Sequence, residues 1–101
     1  MSLDSRVVVD EIASFMRAYG NTVVDIEGNT DSTGARSHNL RLSKERADAV
    51  REYLIDKYGF PGTRLRTLGN GPDRPLETND TPEGREKNRR TDIKVYPNPA
   101  Q

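Results

Sequence analysis

The 101-residue chain has no cysteine and no tryptophan, so disulfide cross-links, thiol chemistry and thiolate metal ligation are excluded. It has one histidine, His38, which leaves no imidazole partner for a metal site and at most one imidazole for a nucleophilic relay. It has no net charge, because sixteen basic and sixteen acidic residues cancel, so bulk electrostatic binding of a polyanion is not expected. No run approaches the roughly 20 apolar residues that cross a bilayer, and the N-terminus lacks the apolar stretch of a signal peptide. The opening Met1-Ser2-Leu3 runs almost directly into a helical pattern, which reads as a single domain, residues 1–101, excised from a larger protein.

What is present is a thin set of apolar residues, 32% of the chain, matched by 32% charged residues. That composition supports one small core under a polar coat. Twelve of the sixteen basic residues are arginine, whose planar fork suits carboxylates and phosphates.

Val8, Ile12, Phe15, Met16 and Tyr19 recur at three- and four-residue spacing and predict a first helix, capped by Asp4 or Ser5 and ended by Gly20. Thr22 to Glu27 alternates as a strand, with Thr22, Val24 and Ile26 on one face and Val23, Asp25 and Glu27 on the other. After Gly28 a polar loop, Asn29 to Gly34, leads into a long helix with Leu40, Ala47, Val50, Leu54 and Tyr58 on one side. Gly59 ends it, with Pro61 beyond. Arg64 to Leu68 reads as a second strand, parallel to the first because a helix connects them. Gly69-Asn70-Gly71 reads as a turn, and Thr81 before Pro82 predicts a short helix to about Asn88. A last strand alternates Thr91, Ile93 and Val95 against Asp92, Lys94 and Tyr96, until Pro97 and Pro99. The sum is a two-layer α+β domain, helices on one face of a small mixed sheet.

Several site chemistries can be weighed. Asp25 and Glu27, two apart on a strand, have the spacing of paired acid and base carboxylates, but also of any solvated strand face. Arg89 and Arg90, with Arg64 and Arg66, could form a basic stripe for nucleic acid, yet aromatic platforms are scarce at 6% of residues. Gly69-Asn70-Gly71 lacks the third glycine and the helix start of a dinucleotide site. Asp31 stands just before the long helix, where Asp31, Ser32 or Thr33 could equally be its cap. Arg46 lies some three turns along the helix beside Ala47. If Asp31 and Arg46 open onto one cleft, they offer a carboxylate and a guanidinium to a ligand carrying ammonium and carboxylate on one carbon, an amino-acid head group.

These residues fall in an ordered set of motifs: Gly28-Asn29-Thr30-Asp31-Ser32-Thr33-Gly34; Asn39 with Leu42-Ser43-Lys44-Glu45-Arg46-Ala47; Gly69-Asn70-Gly71 with Pro75; and Asn79-Asp80-Thr81, Gly84-Arg85 and Asn88-Arg89-Arg90. The set resembles the OmpA-like peptidoglycan-binding domain of bacterial envelope proteins, from about Val8 to Val95. The resemblance implies a noncatalytic module that anchors an envelope protein in the periplasm to the cell wall by binding the meso-diaminopimelate residue of the peptidoglycan stem peptide. It implies no cofactor, no metal and no nucleic-acid partner, and a parent protein tethered to a membrane. Carried over by position, Asp31 would pair with the ligand ammonium and Arg46 with its carboxylate, Thr30 and Asn39 would stand where the family's loop and helix polar contacts lie, and Arg90 would border the pocket. Asn29 stands where many relatives have histidine. The family's first strand precedes its first helix, so its counterpart is expected upstream of residue 1, with one sheet edge open. The alternatives are a wall hydrolase using Asp25, Glu27 or Asp31, and a protein–protein adaptor using the loop from Gly69 to Asn79.

Overall fold

The computed structural model describes residues 3–98. Its order is α1 (Leu3–Ala18), β1 (Thr22–Asn29), α2 (Arg36–Tyr58), a single 3-10 turn (Gly62–Arg64), β2 (Leu65–Gly71), α3 (Pro82–Asn88) and β3 (Thr91–Pro97). β1 is the central strand, parallel to β2 and antiparallel to β3. The predicted α+β architecture, its mixed sheet and its helical crossover are all present. Among the described residues no strand pairs with the outer side of β3.

The core gathers Val9, Ala13 and Met16 from α1, Val24 and Ile26 from β1, Ala47, Val50 and Leu54 from α2, and Phe60 and Leu65 beyond it. The predicted face of α1 is present in part: Met16 is buried and Ile12 packs against the core, but Val8, Phe15 and Tyr19 are exposed, and Val9 and Ala13 are buried in their place. The helix carries two apolar stripes, and the one containing small Ala13 allows the closer approach to the core. Helix α1 already includes Asp4 and Ser5, so neither caps it, and their side chains lie outside the described residues.

The end of α1 is held by an unexpected residue. Arg64 donates through Nη2 to the Met16 and Tyr19 carbonyls (3.0 and 3.1 Å) and through Nε to the Thr22 carbonyl (2.8 Å). The Met16 and Tyr19 carbonyls lie at and just past the end of α1, where a helix leaves its last carbonyls without intrahelical partners, and the Thr22 carbonyl opens β1. Farther back along α1, Asp10 accepts from Tyr53 (2.8 Å), Tyr58 (2.5 Å) and Lys57 (3.2 Å) of α2. The two tyrosine hydroxyls first, and then Lys57, hold the Asp10 carboxyl below its ordinary range.

Where α2 crosses the sheet its buried face changes character. Toward its C-terminus it buries Ala47, Val50 and Leu54, but its first turns bury Asn39 and Ser43. Glycines make that possible. A Cβ on Gly28 would lie 2.0 Å from the Ser43 carbonyl oxygen, and one on Gly69 would lie 2.8 Å from that of Leu40. Helix backbone therefore rests directly on strand backbone, and the Ser43 hydroxyl accepts the Gly71 N–H at 2.9 Å. Gly69 to Gly71 is consequently strand and not the predicted turn: Gly28 pairs with Gly69 and Asn29 with Gly71, leaving Asn70 as an irregularity between them.

Candidate functional site

The site is built on the exit of β1 and the first half of α2. Asn29 is buried at the strand end; its side-chain NH2 donates to the Glu27 carbonyl (3.1 Å) and its oxygen accepts from Asn70 (3.2 Å). The next residues leave the sheet under backbone control, with the Asn29 N–H on the Arg90 carbonyl and the Thr30 N–H on the Gly71 carbonyl, both at 2.9 Å. The Thr30 hydroxyl donates to the Asp31 carbonyl at 2.8 Å. Asn39, reaching back from α2, donates to the carbonyls of Thr33 (2.9 Å) and Asp31 (3.5 Å). Thr30 and Asn39 thus direct their hydrogen bonds into the backbone of the loop.

Asp31 is only 9% exposed. Its Oδ1 accepts the Thr33 N–H at 2.8 Å and its Oδ2 accepts from Arg89 Nη1 at 2.6 Å. The Thr33 N–H first, and then the Arg89 guanidinium, hold its carboxyl below the ordinary aspartate range against the opposing effect of desolvation. The capping expectation is corrected here: the N-cap of α2 is Ala35, with no side-chain cap, and the Asp31 carboxylate closes a turn within its own loop.

Beside this loop lies a cavity of about 510 Å³. Val8, Val9, Val50 and Ile93 give it apolar walls, and Arg46, Arg89, Arg90 and Asn29 give it polar ones. Arg46 is exposed and, among the described residues, has no acidic partner. Arg90 is engaged on three sides, by Asp92 (3.1 Å), the Asn88 carbonyl (3.4 Å) and the Arg74 carbonyl (3.0 Å). Of the five sequence-predicted residues, Arg46 and Arg90 line the cavity, Asp31 reaches it through its ion pair with Arg89, and Thr30 and Asn39 shape the loop behind. Arg89, which both lines the cavity and holds Asp31, was missed. Its signal is the Arg89-Arg90 doublet just before β3, where spacing alone does not say which arginine turns toward the β1 exit.

The competing sites are dispersed by the same geometry. Asp25 pairs with Arg66 at 2.6 Å, and Glu27 with Lys94 at 3.0 Å. The Asn70 amide first, and then Lys94, lower the Glu27 pKa, the opposite of what a general acid needs. Arg64 is committed to α1 and Arg66 to Asp25, so neither joins Arg89 and Arg90 in a stripe. His38 is exposed on the first turns of α2. Among the described residues no three histidine or carboxylate side chains converge as metal ligands, and no helix is long and apolar enough to cross a membrane.

Comparison with known proteins agrees with the architecture. The model of the OmpA family matches residues 2–89. Outer membrane porin F of Pseudomonas aeruginosa is 42% identical over 87 residues, 86% of this chain and 25% of its own length. The peptidoglycan-binding protein ArfA of Mycobacterium tuberculosis is 40% identical over 88 residues, 87% of this chain and 27% of its own. The crystal structure of the peptidoglycan-associated lipoprotein from Burkholderia pseudomallei superposes with a TM-score of 0.87 at 24% identity, covering 95% of this chain and 80% of that one. The chain thus spans about a quarter of the length of both curated relatives.

Proposed function

The chain belongs to the OmpA family, and on that premise we propose that it binds peptidoglycan without catalysis, through the meso-diaminopimelate residue of the stem peptide, as the wall anchor of an envelope protein in the periplasm. The observation that carries this reading is the pairing of an ionised, nearly buried Asp31 with a cavity whose Arg46 has no acidic partner of its own. A zwitterionic head group fits this arrangement: its carboxylate gives Arg46 the acidic partner it lacks, and its ammonium approaches Asp31 beside Arg89. The name of the mycobacterial relative, a peptidoglycan-binding protein, supports the same partner.

Charge-assisted hydrogen bonds contribute about 1.5 to 3 kcal/mol each, so a few of them give a modest single-site affinity. The wall repeats the head group many times, and a membrane-tethered parent rebinds at high effective concentration, so weak sites hold firmly. A hydrolase has less support, because Asp25, Glu27 and Asp31 each have a cationic partner within hydrogen-bond distance.

Titration with free meso-diaminopimelate tests the reading. Asp31→Ala and Arg46→Ala should each abolish measurable binding, but their stabilities should differ. Asp31→Ala also leaves the Thr33 N–H and Arg89 without a partner, whereas Arg46→Ala should stay within about 0.5 kcal/mol of wild type in urea. Unchanged affinity in either variant refutes the assignment, and release of soluble fragments from purified sacculi would establish a hydrolase instead.

A further inference from the structure

The loop carrying Asp31 is braced from outside by the segment that joins β2 to α3, residues 72–81. At one end of that segment Asp73 accepts two hydrogen bonds from Arg36, at the start of α2, at 3.0 and 2.5 Å. At the other end Asn79 Oδ1 accepts the Ser32 N–H at 3.3 Å. The loop's other amide bonds lie elsewhere: those of Asn29 and Thr30 stop at the strand exit, and that of Thr33 goes to Asp31 inside the loop. Among the described residues, the Ser32 N–H is therefore the one amide beyond Thr30 and before α2 that donates to another element.

Asn79 is itself held in place. The same Oδ1 accepts from Asn88 Nδ2 at 2.9 Å, and its carbonyl accepts from Arg85 Nη1 at 2.9 Å. Asn88 is fully buried, and its oxygen accepts the N–H groups of Leu76 and Glu77, both at 2.8 Å. Helix α3 sits against the segment with no slack, since a Cβ on Gly84 would lie 1.9 Å from the Thr78 carbonyl oxygen. A buried amide with its hydrogen bonds satisfied makes a rigid support.

We propose that Asn79 is a positioning residue for the binding site: held by Asn88 and Arg85, its Oδ1 fixes the Ser32 backbone and so aims the Asp31 carboxylate. This rests on the function proposed above. It adds that the segment from β2 to α3, far along the chain from Asp31, sets the ligand affinity without touching ligand.

The experiment compares Asn79→Ala with Asn79→Asp. Aspartate keeps an acceptor for both the Ser32 N–H and Asn88, and the adjacent Arg85 offsets its charge. With meso-diaminopimelate as probe, Asn79→Ala should bind about tenfold more weakly and Asn79→Asp within about threefold of wild type. The Asp31 carboxyl, followed by NMR, should titrate higher in Asn79→Ala and return toward wild type in Asn79→Asp. Wild-type affinity and titration in Asn79→Ala, or equal losses in both variants, would overturn the proposal while leaving the diaminopimelate reading intact. If wild type itself does not bind, that reading fails, and the Asp31 titrations alone decide the brace. Should Asn79→Ala not fold, amide exchange in the wild-type protein decides: Ser32 exchanging more slowly than Gly34 supports the brace, and equal rates overturn it.

Discussion

The two halves of α2 rest on the same sheet by different physics. Its C-terminal half buries Ala47, Val50 and Leu54 against Val24, Ile26 and α1, where attachment comes from apolar area removed from water. Its N-terminal half buries Asn39 and Ser43 over Gly28, Gly69 and Gly71, where backbone approaches backbone and hydrogen bonds replace hydrophobic contact. Apolar area is non-directional and tolerates small shifts, whereas hydrogen bonds at contact distance fix atoms. The candidate site stands on the second kind of support, as a site that must aim one carboxylate and one guanidinium requires.

Breaking the polar half should have the largest effect. Gly28→Val places a side chain in the Ser43 backbone, which no rotamer relieves, so the loss should exceed the ~1–3 kcal/mol of ordinary overpacking. The expected outcome is a protein without a cooperative unfolding transition by circular dichroism. Leu54→Ala, in the apolar half, should cost about 2–5 kcal/mol in urea denaturation while the affinity of the surviving folded protein for meso-diaminopimelate is unchanged.

Ser43→Ala sharpens the contrast by reversing it. It leaves the buried Gly71 N–H without its acceptor at a cost of about 1–3 kcal/mol, and because Gly71 in turn receives the Thr30 N–H, it should weaken ligand binding as well. Equal ligand affinity in Leu54→Ala and Ser43→Ala would show that the two halves do not differ in this way.

The smallest expected effect is on pH dependence, at the join of α1 and α2. The Asp10 carboxyl is depressed in the folded state, so its contribution to stability is present above the unfolded carboxylate pKa, about 4, and is lost as pH falls through the lower folded value. Asp10→Asn should lower the urea midpoint at neutral pH and flatten its fall in acid; a parallel curve would remove Asp10 from the acid response.

Much of the fold was legible because local rules and tertiary contacts agree. Thr81 caps α3 with its hydroxyl on the Gly84 N–H at 3.0 Å, Pro82 follows at the first helical position, and Gly59 ends α2 in the left-handed conformation, as the residue types require. The faces of α1 were less legible, since two apolar stripes run along it and periodicity does not choose between them. Gly69 to Gly71 looks like a turn in sequence because glycine is both a turn former and the residue that lets a helix lie on a strand, and composition does not separate those uses.

Local spacing and side-chain chemistry, acting within short windows of the chain, set the elements, their order and the types of charged group available near the β1 exit. The tertiary structure decided which arginine serves which partner. Arg64 closes α1, Arg66 meets Asp25, Arg89 holds Asp31, Arg90 joins Asp92, and Arg46 is left facing the cavity. Twelve arginines look alike in a sequence. A guanidinium reaches only the groups that chain folding brings within about 3 Å, and those lie up to 58 residues away in the Asp31–Arg89 pair.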